Sequence, residues 1–288
     1  MLELANPFAR EGGVIRLLEP RNCDREALVD RVLSGTYARP FVIEDEGKRS
    51  LYFTRAFIQS EMRLADPFAL EFAYTRKMMG FLFFLEAPRE ILLLGLGGGS
   101  LVRYCRRHLP GARITAVEID RDVIAFREQF LLPPDDANFR VVRADAAGHL
   151  AQCDTQPEVV LIDAFDRDGV APSLCTREFY ESVHEAMAGN GVMVANLVGP
   201  KAERIAHLAM IGKVFDGNVI LLPIADDGNY VAFAFRDPAF EPRWRRMATH
   251  AKALRARYGL DFPAFAGKLE RSRKLGYARR ATATARMR

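Results

Sequence analysis

The sequence has no apolar run near the ~20 residues needed to cross a bilayer. Its greasiest stretches, Phe81 to Leu85 and Ile91 to Leu94, are short enough to be core elements. It opens on MLELANPFAR, which lacks a basic segment followed by an apolar one, so no secretory signal is expected. The four cysteines, Cys23, Cys105, Cys153 and Cys175, are scattered and lack the paired spacing of a zinc site. A chain of 288 residues can be held by its core without disulfides, so they read as idle thiols in a reducing cytoplasm. Neither a metal nor a membrane is expected. The net charge of +4 is unevenly spread: Lys268, Arg271, Arg273, Lys274, Arg279, Arg280, Arg286 and Arg288 crowd the end against Glu270 alone. Tyr277 is the one aromatic among them, which supports base stacking poorly, so no nucleic-acid partner is expected. The closing ATATARMR offers little to bury and reads as a solvated tail.

From Ile91 onward, short β-rich runs alternate with amphipathic stretches of helical length, the pattern of a parallel sheet covered by helices on both faces. The strands read ILLLG, ARITAVEID, FRVVRAD, EVVLIDAF and GVMVANLVG. Between them lie LVRYCRRHL, DVIAFREQFL, AAGHLAQ and TREFYESVHEAMAG, and Gly189 and Gly191 bracket the close of the last, where a left-handed cap is expected. After one more helix, NVILLPIAD and NYVAFAFRD flank Asp227-Gly228, which predicts a terminal antiparallel hairpin. Upstream, PFVIEDEGKRSLYF reads as a hairpin around Glu46-Gly47. DPFALEFAYTRKMMGFLFFL reads as one helix, capped by Asp66 with Pro67 at its first position. The expected fold is therefore α/β: a mostly parallel, doubly wound sheet of Rossmann type with a terminal antiparallel hairpin, preceded by a small β-rich subdomain. The expected boundaries are residues 1–64 for the small subdomain, 65–265 for the nucleoside-binding domain and 266–288 for a basic tail.

The first strand of that sheet runs into Gly95-Leu96-Gly97-Gly98-Gly99-Ser100 and then a helix. Glycines there let the backbone turn tightly and approach a ligand beside the positive end of the helix. Gly95, Gly97 and Gly98 are the candidate contacts. The next strand ends in Glu118-Ile119-Asp120, about twenty residues on, where an acid accepts hydrogen bonds from ribose hydroxyls. Glu118 is the stronger candidate, since Asp120 doubles as a helix cap. Asp145 closes the third strand, placed to accept from an adenine amino group. Three acids at successive strand ends fit a ligand bound at the carboxyl edge of the sheet. Ser100 departs from the third Gly or Ala of a dinucleotide loop, which argues against a nicotinamide. After the fourth strand come Asp163 and Asp166, two carboxylates suited to binding and deprotonating a cationic amine. An amine like that of Lys is almost wholly protonated at pH 7, from a reference pKa of ~10.4.

From about Phe41 to Phe235 the chain resembles the spermidine synthase family of aminopropyltransferases, a resemblance that implies a methyltransferase-type Rossmann fold. The residues that carry the resemblance are the glycine loop, Val117-Glu118-Ile119-Asp120, Asp145, Asp163-Ala164-Phe165-Asp166 and Thr176-Arg177-Glu178-Phe179-Tyr180. Gln59 and Tyr74 match the family's substrate-side Gln and Tyr, with a longer spacing between them. The resemblance implies Asp163 as base, Asp166 as the amine's holder and decarboxylated S-adenosylmethionine as aminopropyl donor. It also allows a homodimer paired through the N-terminal hairpin. Two departures matter: Gly98 stands where the family has an acid facing the donor's amine, and Arg76 ends a Tyr-Thr-Arg triplet where the family has Tyr-His-Glu. They keep two further readings open, a methyltransferase that uses intact S-adenosylmethionine and a nucleoside-binding protein without activity.

Overall fold

The computed structural model describes residues 1–9, 12–165, 171–224 and 230–274. The chain begins with an antiparallel sheet. β1 (Leu2–Ala5) and β2 (Val14–Leu17) precede helix α1 (Arg25–Leu33), and β3 (Phe41–Asp45), β4 (Lys48–Thr54) and β5 (Phe57–Arg63) complete the order β1-β2-β3-β4-β5. The expected hairpin around Glu46-Gly47 is β3 and β4. Both turn residues have positive φ (47° and 73°), the geometry that matches the twist of two antiparallel strands.

The expected long helix from Asp66 is not formed. Only α2 (Ala73–Met78) is α-helical, followed by a 3₁₀ stretch over Met79–Phe83. The carbonyls that would start a longer helix accept from guanidiniums instead. Arg103 Nε donates to Pro67 O (2.7 Å), and one terminal nitrogen of Arg76 donates to both Leu70 O and Glu71 O (2.6 Å each). Asp66 forms a bridge to Arg63 rather than a cap.

The second sheet is built from β6 (Glu90–Leu94), α3 (Ser100–His108), β7 (Arg113–Glu118), α4 (Arg121–Ala125), β8 (Phe139–Arg143), α5 (Ala146–Leu150), β9 (Val159–Ile162), α6 (Arg177–Ala186), β10 (Val192–Leu197), α7 (Lys201–Val214), β11 (Val219–Pro223) and β12 (Tyr230–Phe235). Its strand order is β11-β12-β10-β9-β6-β7-β8; β12 alone is antiparallel to its neighbours. The terminal hairpin thus forms as expected, while its Asp227-Gly228 turn lies outside the described residues. Gly189 and Gly191 do not form the expected left-handed cap: α6 ends at Ala186 on an extended Met187, and neither glycine has positive φ.

β6 lies between β7, which follows it, and β9, reached by a crossover. The chain leaves the sheet in opposite directions from β6 and β9, which opens a crevice at their carboxyl ends. Apolar clusters cover both faces of the sheet, with Phe233 and Leu93 on one side and Val183 and Ile211 on the other. The chain ends in α8 (Trp244–Tyr258) and α9 (Phe262–Lys274). Residues 266–274, expected to begin a tail, are the last turns of α9, with Leu269 fully buried. Among the described residues, no helix is long and apolar enough to span a membrane.

Candidate active site

The crevice holds a cavity of about 120 Å³ whose walls come from both sheets. Gln59 and Ser60 on β5 and Tyr74 on α2 form one side. Gly95, Gly97, Glu118, Asp145 and Asp163 line the other, all at strand ends of the parallel sheet. Gly95 is forced by the close approach of the chain leaving β6 to the chain leaving its parallel neighbour β9: φ is 94°, and a Cβ there would collide with the backbone carbonyl of Asp163.

Glu118 is the last residue of β7. Its Oε2 accepts from Leu96 N and its Oε1 from Asp120 N, both at 2.9 Å. The two amides fix the carboxylate in the cavity wall, and each oxygen keeps a second lone pair for a ligand hydroxyl. Burial raises its pKa above the ordinary value, against the lowering by those amides. Asp145 Oδ2 caps α5 through Gly148 N (3.0 Å), while Oδ1 accepts from Ser173 Oγ (3.3 Å). Asp120 is different. It caps α4 by accepting from Asp122 N (2.8 Å) and is not part of the cavity wall. The ligand role expected of it has no support in this geometry. Ile119, between the two acids, is 63% exposed and forms an apolar patch of the wall.

Asp163 follows β9. Its Oδ1 accepts from Asn196 Nδ2 (3.0 Å) and its Oδ2 from the Tyr74 hydroxyl (3.3 Å). Burial lifts its pKa from 3.8 to about 6, with Asn196 and Tyr74 opposing the rise. A carboxyl poised there is ionised at neutral pH yet basic enough to take a proton. Asp166 lies outside the described residues.

Gly98 lies behind the cavity rather than in its wall. A Cβ on it would stand 2.7 Å from Ser60 Oγ and 2.9 Å from the ring of Phe130, so no side chain fits there. Ser60 and Ser100 occupy that corner, their hydroxyls 3.3 Å apart. Arg76, the second departure from the family pattern, has its guanidinium on the carbonyls of Leu70 and Glu71. Sequence reading missed Asn196. Its signal was an amide inside a strand, VMVANL, that is otherwise wholly apolar and buried. Asn196 is 5% exposed, and its Oδ1 has no partner among the described residues.

A model of the spermine/spermidine synthase domain matches residues 71–212. The chain is 36% identical over 245 residues to a polyamine aminopropyltransferase of Chromobacterium violaceum, covering 84% of this chain and 94% of the relative. It is similar in fold to a probable spermidine synthase from Corynebacterium glutamicum, with a TM-score of 0.63 at 21% identity, over 82% of this chain and 92% of the other. A spermidine synthase solved in complex with the transition-state analogue AdoDATO superposes with a TM-score of 0.57 at 22% identity, over 72% of this chain and 74% of that one.

Proposed function

Because the chain belongs to the spermine/spermidine synthase family of polyamine aminopropyltransferases, we propose that its cavity takes decarboxylated S-adenosylmethionine and transfers the aminopropyl group to a small amine. The observation that carries this reading is Asp163, a carboxyl raised to about pKa 6 on the cavity wall. Glu118 would hold the ribose hydroxyls, Asp145 the adenine amino group, and the glycine loop would bring backbone amides to the nucleoside. Asp163 accepts a proton from the ammonium of the acceptor. The freed lone pair attacks the carbon beside the sulfonium, the carbon–sulfur bond breaks, and its electron pair returns to sulfur as methylthioadenosine leaves. A sulfonium is already a good leaving group, so orientation and deprotonation are what the protein must add.

The charges favour an aminopropyl tail over a methionine tail. Among the described residues of the wall, the charged side chains are Glu118, Asp145 and Asp163, all acids. The α-carboxylate of intact S-adenosylmethionine would meet no cation there. Asp166, on the family resemblance, would hold the far end of the acceptor. The test is incubation with decarboxylated S-adenosylmethionine and a panel of diamines, following methylthioadenosine by chromatography. Release of methylthioadenosine with an aminopropylated amine is the expected result. Absence of product with every amine, with S-adenosylhomocysteine formed from intact S-adenosylmethionine instead, would overturn the reading in favour of methyl transfer.

A further inference from the structure

The chain is electrically divided. Residues 243–288 hold fourteen Lys and Arg against Asp261 and Glu270 alone, a net of +12, and since the whole chain is +4, residues 1–242 carry −8. The positive part is not only a tail. α8 and α9 are anchored in the main core by Met247, Leu254, Tyr258, Phe262 and Leu269. Tyr258 adds two ties: its carbonyl accepts from the buried Tyr104 hydroxyl (2.6 Å), and its own hydroxyl donates to Glu86 O (3.1 Å). Arg243, Arg245, Arg246, Lys252, Arg255, Arg257, Arg271 and Arg273 are therefore presented in the open on or beside a fixed helical pair.

None of these eight cations forms an ion pair with a described carboxylate; among the described residues, the acid that α8 meets is Glu86, 3.5 Å from His250 Nε2. Elsewhere cations are commonly matched, as with Arg16, Arg39, Lys48, Arg49, Arg63, Arg106, Arg113 and Arg127. Arg257 and Arg273 lie over the rings of Tyr258 and Trp244, which leaves their charge unneutralised. The remaining exposed positions of α8 are Ala248, Thr249, Ala253 and Ala256, so the helix contains no acid and shows small side chains between its cations.

We propose that this face of α8 and α9 docks on duplex nucleic acid through its phosphate backbone, without reading base sequence. Three classes of partner would want a basic face, and two need features it lacks. An interfacial helix inserts an apolar side into lipid, but the apolar side of α8 is in the core. A protein partner needs an apolar or aromatic centre inside a polar rim, and no large hydrophobic residue of α8 or α9 is exposed. A phosphate backbone asks only for closely spaced cations that release its counterions. The poverty of free aromatics argues for phosphates rather than stacked bases. The basic stretch begins in a helix and not at a tail: Phe262, Phe265, Ala266 and Leu269 bury enough apolar surface to hold α9 on the domain and fix its charges in place, while residues 275–288 lie outside the described residues.

The test uses the full chain and a fluorescently labelled 24-base-pair duplex, as DNA and as RNA, followed by anisotropy between 50 and 200 mM salt. Expected is binding whose log K falls by about 4 to 7 per tenfold rise in salt, since each neutralised phosphate contributes about −0.9. Arg245→Glu, Arg246→Glu, Lys252→Glu and Arg255→Glu together should weaken it at least 30-fold with methylthioadenosine formation unchanged. The corresponding four Gln substitutions, milder for folding, should weaken it at least fivefold. Three results would overturn the proposal: no binding at 50 mM salt, affinity untouched by both variants but lost on deleting residues 275–288, or equal binding to phosphatidylserine vesicles.

Discussion

Replacing Asp163 by Asn removes a proton acceptor and little else. The amide keeps an oxygen for Asn196 Nδ2 and its size is the same, so the wall of the cavity should survive. A general base of this kind contributes ~10²–10⁴-fold. Turnover with decarboxylated donor and a diamine should fall by that amount, with methylthioadenosine affinity retained. In the unmodified enzyme, kcat/KM should fall with decreasing pH below about 6, where Asp163 becomes protonated. The same pKa makes a prediction about stability. The carboxyl is a stronger base in the folded chain (about 6) than in the unfolded one (3.8). Between those values the folded state holds a proton that the unfolded state has released, so stability falls as pH rises from about 4 to about 6, then levels off. At ~1.4 kcal/mol per pKa unit, the upper limit of this cost is ~3 kcal/mol, reduced by the partial exposure of Asp163. Asp163→Asn should thus raise the melting temperature at pH 8 and leave it nearly unchanged at pH 3.5. A variant that keeps full turnover, or is less stable at pH 8 than the parent, would refute the assignment of Asp163 as a buried base.

Glu118→Gln should weaken methylthioadenosine binding at least tenfold by calorimetry, because a charge-assisted hydrogen bond to each ribose hydroxyl is worth ~1.5–3 kcal/mol. Gln must also turn its NH₂ toward either Leu96 N–H or Asp120 N–H, both of which donate to carboxylate oxygens in the parent. Asn196→Leu removes a donor that stabilises ionised Asp163, so the acid limb of the pH–rate profile should move above 6; an unmoved limb would remove Asn196 from the positioning of the base. Gly98→Ala should lower the melting temperature by several degrees at ~1–3 kcal/mol, since its Cβ would press on the buried Phe130 ring. An unaffected melting temperature would show that this corner can open to admit a side chain.

The parallel sheet was legible because its strands are short apolar runs set between helices with marked apolar and polar faces, and the acids at their ends stood out against those runs. Glu118, Asp145 and Asp163 are found together on one wall for that reason. What remained hidden was decided by partners far away in sequence. The start of a helix at Asp66 obeys every local rule, yet Arg103 and Arg76 take the carbonyls it would need. Asp120 was a ligand and a cap with equal local warrant; in the fold it caps α4 through Asp122 N and is absent from the cavity wall. Gly98 looked like a lost acid. In the fold it is a place where the backbone passes so close to Phe130 and Ser60 that a side chain has no room.

The two walls of the pocket belong to different sheets, and what registers them decides whether there is a site at all. Arg39 reaches from the N-terminal subdomain to Asp122 with two hydrogen bonds (2.7 and 2.9 Å), and Arg49 donates to the carbonyl of Gln129. Such a pair at the surface is worth ~0–1 kcal/mol. Beneath them Val42, Leu51 and Met62 of the antiparallel sheet pack on Val123, Phe126 and Phe130, all six at most 1% exposed. At ~1.5–3 kcal/mol for each fully buried apolar side chain, that cluster outweighs the polar ties several-fold. Packing therefore sets the distance between β5 and β7, and the guanidiniums set its direction. Gln59 and Ser60 face Glu118 across the cavity because the segment from α4 to Phe130, which begins just after Glu118-Ile119-Asp120, is also the floor on which the N-terminal sheet rests.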